Sequence, residues 1–101
     1  MFSAPEILEK KGDVVSSHNE SSDVYSFSLL ALFILTGEVP FEGYSLAKIK
    51  QIIVEERSRP KLDSDLHQDL VQIIRACWQH DPGSRPSFND INDSLTSISL
   101  A

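Results

Sequence analysis

The sequence predicts an all-α fold of about five helices packed around a buried central one. Three observations carry that expectation. The stretch from Ser22 to Phe41 sets a long apolar run between a helix-start and a helix-stop signal. Segments after Ser45 place Leu and Ile at helical i, i+3, i+4 spacing. No two segments alternate apolar and polar residues as a pair of strands would.

The first element opens at Pro5. The proline holds Ser3-Ala4 extended and suits the first turn of a short helix through Ile7, Leu8 and Lys11, which Gly12 ends. Asp13 to Ser21 is polar, serine-rich and aperiodic, and reads as a surface loop. Its Asn19-Glu20-Ser21 matches a glycosylation sequon, taken as chance because no secretory signal precedes it. In the central element Ser22 caps the first turn, and Asp23 places a negative charge at the positive end of the helix dipole. Gly37 closes it in a left-handed cap, with Pro40 shortly after. Positions 27–35 are apolar except for Ser28, so the helix lacks a polar face and reads as buried on every side. A bilayer span needs about 20 apolar residues and basic flanks. This run has neither.

Phe41 anchors a turn-rich loop that leads to Ser45, the cap of a helix from Leu46 to about Glu56 with Leu46, Ile49, Ile52 and Ile53 on its apolar face. Arg57 to Asp63, with Pro60, is a connector. Ser64 or Asp65 starts a fourth helix whose stripe is Leu66, Leu70, Ile73, Ile74 and Cys77, ending near Trp78 and Gln79. His80-Asp81-Pro82-Gly83 turns. Ser87 and Asp90 then form a capping box for a last helix that buries Phe88, Ile91, Leu95 and Ile98.

Composition narrows the function. At 101 residues and 41% apolar content the chain is one small domain or part of one. A net charge of −6 argues against nucleic acid or an anionic membrane surface as a partner. The lone Cys77 excludes an internal disulfide and, with no signal peptide after Met1, points to a reducing, cytoplasmic setting. It lies on the apolar stripe of its helix, so it reads as a buried, inert thiol. His18, His67 and His80 share no helical face at metal-ligand spacing, and no metal site is read. Lys10-Lys11 and Lys48/Lys50 sit in no glycine-rich frame, so no phosphate cradle is read either.

Three separated motifs stand in order. Ala4-Pro5-Glu6 resembles the A-P-E that closes the activation segment of protein kinases. Ser22 to Phe27 and Leu35 to Phe41 resemble the start and exit of the kinase F helix. Cys77-Trp78, Asp81-Pro82, Arg85-Pro86 and Ser87-Phe88 resemble the loop between the H and I helices. The sequence is therefore identified as similar to the last part of a protein kinase C-lobe, closest to the tyrosine-kinase-like serine/threonine group and to tyrosine kinases. The glycine-rich loop, the strand lysine, H-R-D and D-F-G lie upstream of A-P-E in kinases, and none occurs in these residues. The resemblance thus implies Mg-ATP for a complete parent domain, no cofactor in this chain, and no catalytic residue here.

What it does imply is structural. In kinases the A-P-E glutamate pairs with the arginine of the later R-P, so Glu6 and Arg85 are expected to meet and brace the end of the activation segment. The residue matching Asp23 accepts hydrogen bonds from the catalytic-loop backbone in kinases; a role in proton transfer is not expected. Trp78 and Phe88 are read as core. Two departures stand out: Ser28 replaces a glycine, and Leu32-Phe33 replaces an aromatic-acidic pair whose carboxylate reads basic substrate residues in some kinases. Two functions remain open. One is a C-terminal piece of a kinase domain whose parent phosphorylates protein hydroxyls. The other is a stand-alone, non-catalytic module that docks a protein partner. In either case the missing N-lobe and catalytic loop, or a protein on an exposed apolar face, is the expected partner.

Overall fold

In the computed structural model, which describes residues 3–9 and 19–98, a single long helix is the axis of the fold. Helix α1 spans Pro5–Glu9, α2 Glu20–Thr36, α3 Leu46–Lys50, α4 Gln68–Cys77 and α5 Phe88–Ser97. A π-helical turn, Gln51–Glu55, continues α3, and a 3₁₀ turn, Pro82–Ser84, precedes α5. The other four helices gather around α2, and α4 packs against it most extensively. The expected reach of α1 to Lys11 and the loop from Asp13 to His18 fall outside the described residues, while Glu20 and Ser21, expected in that loop, belong to α2.

Helix α2 starts three residues earlier than Ser22 would have it. Asn19 is the cap: its side chain accepts from Ser22 N at 3.0 Å, and Ser22 Oγ accepts from Asn19 N at 3.0 Å. The two residues therefore satisfy each other's free amides, and Ser22 is the third helical residue. The far end closes at Gly37, whose φ of 75° is a left-handed cap that a Cβ would strain.

The inner face of α2 carries Val24, Tyr25, Ser28, Leu29 and Leu32, spaced as one side of a helix and buried. Tyr25, Leu29 and Leu32 meet Ala4, Ile49, Ile53, Ile74 and Trp78, while Val24 meets Cys77 and Ile91. Each apolar side chain buried this way contributes about 1.5–3 kcal/mol. Ser28 keeps its hydroxyl satisfied in this apolar setting by donating back to the Tyr25 carbonyl.

The outer face departs from the expectation of all-round burial. Leu30, Phe33, Ile34 and Leu35 are exposed, Ile34 by 71%. The helices around α2 offer one stripe each and cover only part of it. The same shortage of covering surface leaves Phe88 and Leu95 of α5 half-exposed, although both had been expected to be buried. Leu46, the first residue of α3, is likewise 69% exposed, although its spacing puts it on the face of Ile49 and Ile53. Helix α4 begins at Gln68, later than Ser64 or Asp65, with His67 Nδ1 accepting from Asp69 N at 3.2 Å as its cap. Ser87 and Asp90 do form the capping box of α5.

Candidate functional site

The sequence motifs converge on one corner, beneath the start of α2. Ala4 and Pro5 are sunk into the core, which fixes where α1 begins and carries Glu6 toward the turn before α5. There Arg85 reaches back across the chain. Its Nη1 and Nη2 donate to the two carboxylate oxygens of Glu6 at 2.8 and 2.9 Å, a two-pronged pair. The remaining donors are also used: Nε to Gln79 O at 2.8 Å, Nη1 to Ser21 O at 3.0 Å and Nη2 to His80 O at 3.2 Å. All five guanidinium N–H groups thus have acceptors. The Arg85 side chain is fully buried and that of Glu6 is 24% exposed. Burial alone would raise the Glu6 carboxyl. The Arg85 hydrogen bonds, its own backbone amide and the nearby charges of Arg85 and His80 outweigh that and hold it below the ordinary carboxylate range.

Tyr25 is the floor of this corner. The Cζ of Arg85 lies 5.1 Å from its ring centre and that of Arg59 lies 5.3 Å away, so two guanidinium groups share one aromatic ring. Arg59 comes from the connector and holds three carbonyls: Nε donates to Trp78 O at 2.8 Å, and Nη1 to Ser58 O at 2.8 Å and Ile53 O at 3.3 Å. The Ile53 carbonyl lies in the π turn, which leaves it in reach of a side-chain donor. Burial lowers the Arg59 pKa, with Tyr25 opposing and Arg85 reinforcing. Burial also pushes the Tyr25 phenol up to about 12, against the pull of Arg59 and Arg85. Its hydroxyl has no hydrogen-bond partner among the described residues.

Glu6, Arg85 and Trp78 therefore belong to one connected region, Trp78 by its core packing and through Arg59. Asp23 does not join them; it lies exposed in the first turn of α2, with its amide donating to Asn19 O at 3.1 Å. Arg59 lies in no motif, and Tyr25, inside the Ser22 to Phe27 motif, had been given no role. A tyrosine inside an otherwise oily helix was the one available signal, since its ring must bury and its polar neighbours then follow. Cys77 is buried and free, and burial pushes its thiol up to about 11, opposed only by Arg85. That rules it out as a ready nucleophile. Among the described residues no three His, Cys, Asp or Glu side chains come together as a metal site, and no helix is long and apolar enough to cross a membrane.

A corner that ties A-P-E to R-P beneath an aromatic ring, on helices ordered as here, defines a class. Residues 1–95 match the family of protein tyrosine and serine/threonine kinases, and the chain belongs to that family. It is 38% identical over 99 residues to the probable serine/threonine-protein kinase qkgA of Dictyostelium discoideum, which covers 96% of this chain and 6% of that protein. It is 34% identical over 98 residues to the human mixed lineage kinase domain-like protein, covering 97% of this chain and 20% of that protein. With the dual specificity protein kinase shkC of Dictyostelium discoideum it shares 35% over 99 residues, 97% of this chain and 19% of that protein. The chain thus spans about 6% to 20% of the length of these relatives. It is a part of a kinase domain, related to serine/threonine and dual-specificity kinases, and its 101 residues contain no H-R-D, D-F-G or glycine-rich loop.

Proposed function

We propose that residues 1–101 form the lower part of a kinase C-lobe and serve it as a scaffold. The Glu6–Arg85 pair carries this reading, because it joins two motifs 79 residues apart by a buried, fully hydrogen-bonded guanidinium. In that role Glu6 and Arg85 brace the end of the activation segment, and Trp78 packs beneath it. Asp23, exposed at the start of α2, accepts hydrogen bonds from the catalytic-loop backbone supplied by the rest of the domain. The parent protein would transfer phosphate from ATP to protein serine or threonine hydroxyls, as the names of its relatives support. A cytoplasmic location goes with this proposal, supported by the free thiol of Cys77 and the supply of ATP there.

The described residues do not fit Mg-ATP. No three His, Cys, Asp or Glu side chains among the described residues converge on a cation, and the depressions beside the loop after α2 carry Glu38, Glu42 and Asp63, which repel a triphosphate. The isolated chain is therefore expected to show no magnesium-dependent thermal shift with ATP. A shift saturating at sub-millimolar ATP would overturn the scaffold reading, since a ligand that binds the native state must raise its stability. Reading the genomic frame upstream of Met1 tests the parentage: codons for H-R-D and D-F-G support it, and a stop codon favours the stand-alone module. The exposed outer face of α2 is the observation that keeps this second reading in play, because an apolar face needs a partner in either case.

A further inference from the structure

Helix α3 does not run out as an α-helix. Gln51 N still donates to the Ala47 and Lys48 carbonyls. Glu56 N, however, donates to Gln51 O at 3.0 Å, five residues back, and Ser58 N to Ile52 O at 2.9 Å, six back. An α-helix bonds four back, so this turn holds an extra residue. The wider turn leaves one carbonyl over. In an α register Ile53 O would take the Arg57 amide, but Arg57 has left the helix at a φ of 53°. That conformation is uncommon for a residue with a Cβ. Arg59 Nη1 supplies the donor instead, at 3.3 Å. Ile53 stays in place in either register, because its side chain is buried in the core with Ile49, Tyr25 and Trp78.

Two backbone arrangements therefore compete over these residues. In one, the π turn, the strained Arg57 and the Arg59 bond go together. In the other, the segment continues as an α-helix, Arg57 relaxes and bonds Ile53 O, and Arg59 loses that acceptor. The balance reaches the polar corner through Arg59. Among the described residues Arg59 makes no ion pair. It shares the Tyr25 ring with Arg85, a like charge, and Glu6 is the carboxylate that offsets both. Helix α1, which carries Glu6, also packs directly on the π turn. An element with two arrangements that both ends can bias is what couples distant parts of a chain. We propose that residues 46–58 form a two-register helix, latched in the π register by Arg59, whose balance is coupled to the Glu6–Arg85 pair. With the Glu6 charge removed, Arg85 repels Arg59 from the shared ring and the α register gains.

Scalar couplings across hydrogen bonds, measured by NMR on the ¹³C,¹⁵N-labelled 101-residue chain, read the register directly. The parent is expected to couple Glu56 N to the Gln51 carbonyl carbon. Arg59→Lys keeps the charge but loses the planar fork, and should shift the balance about tenfold or more toward the α register. That shift shows as couplings from Glu56 N to Ile52 and from Arg57 N to Ile53. Where the α state is minor, it shows as relaxation dispersion confined to residues 51–58. Adding Arg57→Gly, which takes positive φ without strain, should return the lysine variant toward the π register. Glu6→Gln keeps a hydrogen-bond acceptor for Arg85 without the charge. It should give a smaller shift in the same direction, and it carries the test by itself if the lysine variant does not fold. A parent chain that couples Glu56 N to Ile52 would overturn the proposal. So would a folded lysine variant that keeps the π couplings in a single state, or a Glu6→Gln chain whose residues 51–58 match the parent while those around Arg85 shift.

Discussion

The corner around Arg85 and the outer face of α2 sit on the same helix and behave as opposites. At the corner every donor of the Arg85 guanidinium has an acceptor within the chain, and the charge it buries is met by Glu6. On the outer face Leu30, Phe33, Ile34 and Leu35 have little to pack against. Phe27, Leu30, Ala31, Ile34 and Leu35 line a groove there, closed on its far side by Leu70, Ile73 and Ile74 of α4 and by Leu95 of α5. Polar groups are costly to bury unpaired, and around Arg85 the chain pairs them itself, the Tyr25 hydroxyl apart. Apolar surface tolerates water at a lower cost per group, and here it is left for something else to cover.

Breaking the closed corner should have the largest effect. Arg85→Ala removes the partner of a mostly buried carboxylate and of three carbonyls, and should cost about 3–5 kcal/mol, toward the lower end because water reaches part of Glu6. Chemical denaturation reads this directly; a midpoint equal to that of the parent chain would show that the pair contributes nothing. Glu6→Gln combined with Arg85→Met should recover part of the loss.

The two faces of α2 offer the next contrast. Leu29→Ala, on the buried face, should cost about 2–5 kcal/mol, whereas Ile34→Ala on the exposed face should stay within about 0.5 kcal/mol. Equal losses at the two positions would mean that the outer face is covered after all.

How far this contrast could be read from the sequence depends on what each region is made of. The corner was legible because A-P-E and R-P resemble kinase motifs whose glutamate and arginine pair; nothing in their spacing or composition alone joins Glu6 to Arg85. Leu29 and Ile34, by contrast, look alike in sequence. An all-apolar helix gives no periodic signal telling its covered side from its bare one, and only the positions of α4 and α5 decide it. Cap positions were off by a turn for a related reason. Asn19 and Ser22 can each cap, and the choice rests on which side-chain oxygen reaches which amide. Arg59 carried no motif; its role follows from a π turn and a distant carbonyl that only the fold brings together.

Acid should loosen the corner in a defined direction. The Glu6 carboxyl is depressed in the folded chain, so its contribution is fully present above the unfolded value of 4.5 and is lost as pH falls through the lower folded value. Denaturation midpoints measured down through that range should fall for the parent chain and fall less for Glu6→Gln. Parallel curves would assign the acid sensitivity to other carboxylates. A smaller effect is expected at Asn19→Ala, about 0.5–2 kcal/mol for the lost cap. The smallest is at Tyr25→Phe, which removes a buried hydroxyl without a partner among the described residues and should be neutral or slightly stabilising.

The central claim is that the chain is closed at its polar corner and open along α2, and sedimentation velocity of the parent chain beside a Leu30→Gln, Ile34→Gln variant tests it most directly. Both changes fall on exposed positions, so the two proteins should unfold with similar midpoints. The account predicts that the parent self-associates as its concentration rises into the tens-of-micromolar range and binds a dye that reports exposed apolar surface, and that the variant stays monomeric with a weaker dye signal. A parent chain that remains monomeric at high concentration, unfolds cooperatively and binds no dye would contradict it.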